Sequence, residues 1–376
     1  MSQQKKIGFV INDLSGGGAE KVILTLADAM AAMGHDVHIF LVLTTNIDYA
    51  LDGKYQVHFV NPNNKSSKAL LFRKYWLRRF LIQSLRQTVQ EVVKQGNGKQ
   101  FDLLVATLWQ SSRMARAAGL TNLYLRLANT LSQEVINTWQ NISPRSAARR
   151  EKRYIKLYKG QKIVAVSEGV RVDLIHHFEG VPQDIKTIYN PMNKQKIVYL
   201  ASQQDNDLPD DDYIIHVARF APQKRHDLLL AAYKQLNTPV KLVLLTKMTP
   251  ELMALIREHQ LEDNVICPGF QANPYPWVKK AKLLVLCSDH EGLPSVMLEA
   301  LACGTPVVST DCPSGPAEIL TGELARWLVP VNDANALATK IDEALHATIE
   351  IDDTLFDKFS LDHCVKQYLD LCNKSC

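Results

Sequence analysis

Short apolar runs alternate along this chain with longer stretches in which apolar residues recur every three or four positions. The runs predict strands at Lys6–Ile11, Asp36–Leu43, Gln56–Val60, Phe101–Thr107, Leu123–Ala128, Lys162–Val166 and Lys186–Ile188. The longer stretches, such as Glu20–Met33 and Ala69–Gln95, predict helices between them. The polar, acidic segment Ala201–Asp212, "ASQQDNDLPDDD", interrupts the pattern and reads as a loop near a domain boundary. Alternation then resumes, with strands predicted at Tyr213–Ala218, Lys241–Thr246, Asn264–Cys267, Leu283–Cys287, Pro306–Thr310 and Arg326–Val329. Helices are predicted at Gln223–Leu236, Pro250–His259, Pro294–Ala302 and Ala334–Ala347. Continuous apolar strands separated by helices indicate parallel sheets covered on both faces, and the interruption indicates two such domains. Ligands bind outside the carboxyl ends of strands in this architecture.

Composition adds little until it is divided. The 376 residues are 46% hydrophobic and 22% charged, as in an ordinary globular protein. No apolar run approaches the ~20 residues of a membrane-spanning helix, and the N-terminus has no secretory pattern. A cytosolic protein is expected. Up to Asn190 there are 26 basic and 14 acidic residues; the remainder has 17 and 25. A basic front half and an acidic back half suggest different partners. All seven cysteines, Cys267 to Cys376, lie in the back half without a CxxC pair, which favours buried free thiols over zinc.

Three segments carry candidate chemistry. Ser15-Gly16-Gly17-Gly18-Ala19-Glu20 stands between a strand and a helix, where glycines and free N–H groups suit a phosphate. Its spacing fails GxGxxG and it has no Walker A lysine, so it reads equally as a tight turn. The second is "CSDHEGLPSVMLEALACGTPVVSTD", Cys287–Asp311. A strand gives way to a loop, Glu291-Gly292-Leu293-Pro294, and then to a helix that proline suits at its start. Glu299, eight residues after Glu291, is placed to accept hydrogen bonds from a vicinal diol such as a ribose. Two carboxylates straddling an anion site fit a sugar nucleotide. The third is "HVARFAPQKRHDLLLAAY", His216–Tyr233, in which Arg219 ends a strand and Lys224 follows five residues later. Two fixed cations can face one diphosphate and stabilise it as a leaving group.

Together these residues resemble a known family. Arg219-x4-Lys224, Glu291-Gly-Leu-Pro with Glu299 at the E-x7-E spacing, and Gly304-Thr-Pro-Val-Val are similar to the retaining glycosyltransferases of family GT4, which have the GT-B fold. "VSEGV" (Val166–Val170), "YNPM" (Tyr189–Met192), "SGPAEIL" (Ser314–Leu320) and the opening "GGGAEKV" match as well, the last resembling members that build bacterial surface polysaccharide or lipopolysaccharide. The resemblance implies an α/β protein with two Rossmann-like domains facing across a cleft: an acceptor-side domain at 1–195, a nucleotide-sugar-binding domain at 196–359, and a C-terminal helix within 360–376 that packs back on the first. It implies a retaining transfer of a hexosyl group from a nucleotide-diphosphate-sugar to a lipid-linked glycan, with no metal and no cofactor beyond the donor. By position, Arg219 and Lys224 would bind the diphosphate and Glu291 would face the donor sugar. The Gly292, Leu293, Pro294 and Ser295 backbone would lie near sugar and phosphate. Glu299 would hold the ribose, Gly269 and Phe270 would border the base, and Gly16 and Gly17 would approach from the front domain.

One departure stands out. Many members carry a histidine where this chain has Ala128, in "LYLRLANTLS", leaving Asn129 as a weak front-domain candidate. The acidic runs in "PDDDY" (Pro209–Tyr213) and "IDD" (Ile351–Asp353) read as solvated acids rather than a metal-binding DxD. Two rivals remain: a non-catalytic scaffold of the same fold at the membrane, and a nicotinamide-dependent oxidoreductase, which would want the absent GxGxxG.

The basic half offers a surface. Ala69–Val89 is amphipathic, with Arg73, Lys74, Arg78, Arg79 and Arg86 among Phe72, Tyr75, Trp76 and Phe80. Such a helix can lie in an anionic membrane interface, or cover the sheet with its charges solvated. Pro144–Lys159 adds seven more basic residues. Peripheral attachment to the inner face of the cytoplasmic membrane is the expectation, with Arg73, Lys74, Trp76, Arg78, Arg79 and Asn129 as acceptor or membrane candidates. No nucleic-acid-binding signature is present.

Overall fold

A computed structural model describes residues 3–15, 17–45, 47, 51, 53–61, 71–181 and 185–372, with side chains from residue 76 onward in the helix that begins at Leu71. The chain forms two compact units, Met1–Pro191 with Leu361–Cys376, and Met192–Ser360. The sequence placed these boundaries at 195/196 and 359/360.

The first unit runs β1 (Lys6–Ile11), α1 (Gly18–Ala32), β2 (Asp36–Leu41), β3 (Gln56–Phe59), α2 (Leu71–Gln95), β4 (Leu103–Thr107), α3 (Trp109–Ala117), β5 (Leu123–Leu127), α4 (Leu131–Asn141), α5 (Pro144–Tyr158), β6 (Lys162–Ala165), α6 (Glu168–His177) and β7 (Ile185–Thr187). Its strands pair in the order β3-β2-β1-β4-β5-β6-β7, all parallel. The central strands are buried on both faces, which is why they read as unbroken apolar runs.

The second unit runs α7 (Lys194–Ala201), β8 (Tyr213–Val217), α8 (His226–Tyr233), β9 (Lys241–Leu245), α9 (Pro250–Glu258), β10 (Val265–Ile266), α10 (Tyr275–Lys280), β11 (Leu283–Leu286), α11 (Ser295–Ala302), β12 (Val307–Thr310), α12 (Pro316–Ile319), β13 (Leu328–Val329) and α13 (Ala334–His346). Its parallel sheet has the order β10-β9-β8-β11-β12-β13. In each sheet the order reverses beside the first strand, between β1 and β4 and between β8 and β11. Loops leaving two such neighbours diverge and open a crevice at their carboxyl ends.

The last helix, α14 (Leu361–Leu371), returns to the first unit. Cys364, Val365, Tyr368 and Leu371 share one apolar cluster with Phe9 and Ile11 of β1 and Ile23, Leu26 and Met30 of α1. Where the chain leaves the first unit, Asn190 accepts a hydrogen bond from the buried guanidinium of Arg126, which also donates to Thr107 Oγ1 at 3.1 Å. At the start of the second unit the Met192 N–H donates to the Phe359 carbonyl at 2.8 Å, pairing the two connecting segments.

Six cysteines are thiols, and of these Cys287, Cys312, Cys364 and Cys372 are buried; Cys376 lies outside the described residues. Among the described residues no helix is long and apolar enough to cross a membrane.

Tyr368 is fully buried although it lies near the end of the chain. Tyr368→Ala should therefore cost about 3–5 kcal/mol, the usual range for truncating a large aromatic core residue, measured as a lower urea midpoint. A cost below about 1 kcal/mol would mean α14 is not part of that core.

Candidate active site

The second unit's crevice is built from two loops. After β8 the chain passes Arg219 and makes a 3-10 turn, Pro222–Lys224, before α8. After β11 it passes Cys287, His290 and Glu291 before α11. The loops are fastened to each other residue by residue. Lys224 Nζ donates to Glu291 Oε1 at 2.5 Å, with side chains 18% and 9% exposed. Gln223 Nε2 donates to the His290 carbonyl at 2.6 Å, and the Asp289 N–H donates to the Gln223 carbonyl at 3.0 Å. Arg225 reaches Asp289 Oδ1 at 2.7 Å and also bonds Asp227 and Asn332. The buried Cys287 thiol donates to the carbonyls of Lys224 and Arg225, both at 3.2 Å. Arg225 adopts the left-handed conformation at φ 49, ψ 51, which turns the chain sharply into α8.

A third loop braces the second. Ser314 Oγ donates to the Gly292 carbonyl at 2.8 Å. Gly315, at φ 86, presses so closely that an added Cβ would lie 2.5 Å from Pro294 Cδ and 3.0 Å from the Gly292 oxygen. The Glu291–Pro294 loop is thus held on both sides. Its helix, α11, starts at Ser295 after Pro294, which offers no side-chain cap, and has no acidic residue in its first turn. Such a start presents N–H groups and partial positive charge to an anion. Glu299 lies on the same helix, one turn beyond Ser295 and on the same face.

The other nominated residues divide. Arg219 is exposed and has no ion-pair partner among the described residues. Gly269 and Phe270 follow β10, and Phe270 is 69% exposed. Gly16 lies outside the described residues. Gly17 precedes α1, but the Glu20 carboxylate folds over it: a Cβ on Gly17 would come within 2.0 Å of Glu20 Oε2. A first-turn acid thus lies beside the backbone that the sequence offered to a phosphate. Asn129 Oδ1 accepts from the Thr130 N–H at 3.0 Å, and the following helix, α4, is capped by Asp173, which accepts from the N–H groups of Leu131 (2.9 Å) and Ser132 (3.2 Å). The Arg73 and Lys74 side chains lie outside the described residues; Trp76, Arg78 and Arg79 are exposed on α2. In the first unit's crevice Leu108, after β4, sits at φ 70, ψ 153, a region nearly reserved for glycine. Asn12, after β1, accepts from the Ser111 N–H at 3.0 Å beside it.

Neutral side chains back the cationic loop. His216 on β8 and His226 on α8 are buried, with ring centroids 4.8 Å apart. Burial, and then the neighbouring imidazole, bring His216 down to about 3; burial brings His226 down to about 4. Burial raises the thiols of Cys287 and Cys312, and the charge of Glu291 raises Cys312 further, so neither is a nucleophile. Among the described residues no cluster of three or more His, Cys, Asp or Glu could hold a metal ion. A polar groove of about 480 Å3, lined by Asn237, Thr238, Asp342 and His346 among others, lies by the segment entering β9 and contains none of the nominated residues.

Comparison with known proteins shows the family and the fold. Residues 16–196 match the model described as Glycosyltransferase Family 4, and residues 200–354 match Glycosyl transferases group 1. Over 336 residues the chain is 30% identical to the N-acetylgalactosamine-N,N'-diacetylbacillosaminyl-diphospho-undecaprenol 4-alpha-N-acetylgalactosaminyltransferase of Campylobacter jejuni, covering 89% of this chain and 88% of that one. The chain belongs to glycosyltransferase family 4. This family 4 enzyme is also 30% identical over 200 residues to the lipopolysaccharide 1,6-galactosyltransferase of Escherichia coli, about half of each chain. Among solved structures it resembles Anabaena Alr3699/HepE in complex with UDP and glucose, with a TM-score of 0.73, 18% identity, and coverage of 98% and 100%. The fold is GT-B, two Rossmann-like parallel-sheet units, as the motifs implied.

Sequence reasoning named Lys224 and Glu291 but gave no role to Gln223, Arg225, Asp289, Ser314 or Gly315, which hold the loops. The run Ser314–Leu320 already matched the family pattern, and that was the available signal.

Two outcomes follow for the glycosyltransferase. Gly315→Ala should destabilise by about 1–3 kcal/mol, and by more than Gly304→Ala, a position also at positive φ but with nothing near an added Cβ. Equal urea midpoints for the two variants would remove the proposed brace. The histidines give a pH dependence. Their folded values lie below the ordinary 6.5, so the unfolded chain binds more protons at acid pH. Their contribution is complete above about pH 6.5 and is lost as pH falls, to about 4 for His226 and to about 3 for His216, at up to ~1.4 kcal/mol per pH unit for each ring. His226→Phe should flatten that loss in a urea series across pH; an unchanged slope would contradict the assignment.

Proposed function

We propose that this glycosyltransferase moves a hexosyl group from a nucleotide-diphosphate-sugar, a uridine diphosphate sugar first among those to test, to a lipid-linked glycan acceptor in surface-polysaccharide or lipopolysaccharide assembly. The observation that carries the reading is the 2.5 Å Lys224–Glu291 pair at the β8/β11 crevice, beside the start of α11, which has no acid in its first turn. The relatives support the acceptor class: the Campylobacter jejuni enzyme is named for an undecaprenol-diphosphate-linked acceptor.

In this reading the donor diphosphate lies against α11's first N–H groups. Arg219 and Lys224 stabilise the charge that develops as it leaves. An ammonium has three donors, so Lys224 can keep Glu291 and still reach a phosphate oxygen. Glu291 accepts from donor-sugar hydroxyls and Glu299 from the ribose diol; Gly269 and Phe270 border the base. The acceptor hydroxyl attacks the anomeric carbon from the face the diphosphate leaves. The carbon–phosphate-oxygen bond breaks as the glycosidic bond forms, the hydroxyl proton passes to the departing phosphate oxygen, and configuration is retained. The fixed cations do the work of a metal, so transfer should survive chelation. Gly17 stays a donor contact only if Glu20 moves aside.

Arg219→Ala should lower kcat/KM for the sugar nucleotide by about 10²–10³ without unfolding the protein; Lys224→Ala should lower it as much and also lower the urea midpoint, because it leaves the buried Glu291 carboxylate unpaired. Full turnover by both variants would refute the assignment. Failure of the wild type to bind any of a UDP-, GDP- and ADP-sugar panel by calorimetry would favour the scaffold alternative.

A further inference from the structure

The first unit carries an exposed apolar cluster that the sequence-based candidates did not include. Ile136, Trp139 and Ile142, spaced three apart at the end of α4, are 40%, 58% and 68% exposed. They stand beside a groove of about 300 Å3 between α4 and α5, lined by Val135, Ile136, Trp139, Pro144, Ala147, Ala148 and Glu151. Spacing of this kind ordinarily marks a helix's inner face. Here the inner contacts are made by Leu131 and Thr138, and the outer stripe is left uncovered.

The groove's second wall is strongly cationic. α5 carries Arg145, Arg149, Arg150, Lys152, Arg153 and Lys156 against a single acid, Glu151. All but Arg150 of these cations are exposed, while Tyr154, Leu157 and Tyr158 face inward. Arg150 pairs with Glu134 at 3.8 Å. The remaining positive charge extends onto neighbouring helices: half-buried Arg113 on α3 has its pKa lowered by burial and by the nearby charges of Arg78 on α2 and Arg153 on α5. Three guanidiniums that repel one another, with no carboxylate among them, are relieved by an external anion.

We propose that the α4–α5 hairpin is the element that docks this enzyme on an anionic bilayer. Ile136, Trp139 and Ile142 enter the interface, and the cations of α5, with Arg113 and Arg78, meet lipid phosphates. A tryptophan at the border of an aliphatic patch and a cationic stripe matches the layering of a membrane interface, apolar below and phosphate above. A folded protein partner would not need so one-sided a charge, and a nucleic acid would not use exposed isoleucines. This deepens the proposed function, because a lipid-linked acceptor must be met at a membrane. The sequence offered two basic segments, Ala69–Val89 and Pro144–Lys159; the anchor proposed here centres on the second, with α2 contributing Arg78.

The test is co-sedimentation of the full-length protein with phosphatidylcholine vesicles and with vesicles that also contain phosphatidylglycerol. The wild type should bind the anionic vesicles and leave the neutral ones. Ile136→Ser/Trp139→Ala/Ile142→Ser should weaken that binding about tenfold, and Arg149→Glu/Lys152→Glu should do the same. Trp76→Ala on α2 should stay within about twofold. Circular dichroism, and transfer to a short water-soluble acceptor, should be unchanged in the hairpin variants, so lost binding is not lost folding. Wild-type protein that ignores anionic vesicles, hairpin variants that bind as the wild type does, or retention on RNA instead of vesicles would each overturn the proposal. Absence of sugar transfer by the wild type would strike the enzymatic reading instead.

Discussion

The site depends on one ion pair between two loops that the sheet places side by side. β8 and β11 are neighbours, and the loops leaving them turn to opposite faces. Left alone, the loop bearing Arg219 and Lys224 and the loop bearing Glu291 would have no reason to stay in register. The Lys224–Glu291 contact sets that register, and Gln223, Arg225 and Cys287 repeat the connection along the same seam. Burying either charge without the other would be costly, so the pair is specified together. The buried neutral imidazoles of His216 and His226 behind the loop add no competing charge.

The same charge logic decides which helix start can serve a phosphate. Three were within reach of the sequence motifs: α1 after the glycine run, α4 after Asn129, and α11 after Glu291-Gly-Leu-Pro. α1 has the Glu20 carboxylate folded over Gly17, and α4 is capped by Asp173. α11 has no acid in its first turn and takes no cap from Pro294, and its preceding loop is pinned by Ser314 and Gly315. A helix end already neutralised by its own chain has less to offer an anion. In this structure Gly17 leads directly into α1, with the Glu20 carboxylate beside it.

Much of this was legible in the sequence, for identifiable reasons. Parallel strands buried on both faces are continuous apolar runs, so β1, β4, β8 and β11 were found with ends within a residue or two; β2 stops at Leu41 where the apolar run continued to Leu43. Strand order was not legible, since burial does not record which neighbour a strand takes. Lys224 and Glu291 were nominated through their spacing and lie paired in the structure, whereas Gln223, Ser314 and Gly315 act on residues that only the fold brings near. Glu20 could have been read as a first-turn acid that satisfies its own helix. Ile136, Trp139 and Ile142 entered no sequence-based reading: their spacing describes an inner face, and tertiary packing left it outside.

The account is tested most directly by solving the structure of this protein with uridine diphosphate bound. The diphosphate should lie between the Arg219 and Lys224 side chains and the backbone N–H groups at the start of α11, with Glu299 on the ribose and Lys224 still bonded to Glu291. A nucleotide seated instead in the groove beside Asn237 and Asp342, or bound with Lys224 and the α11 start both beyond hydrogen-bonding reach, would contradict it.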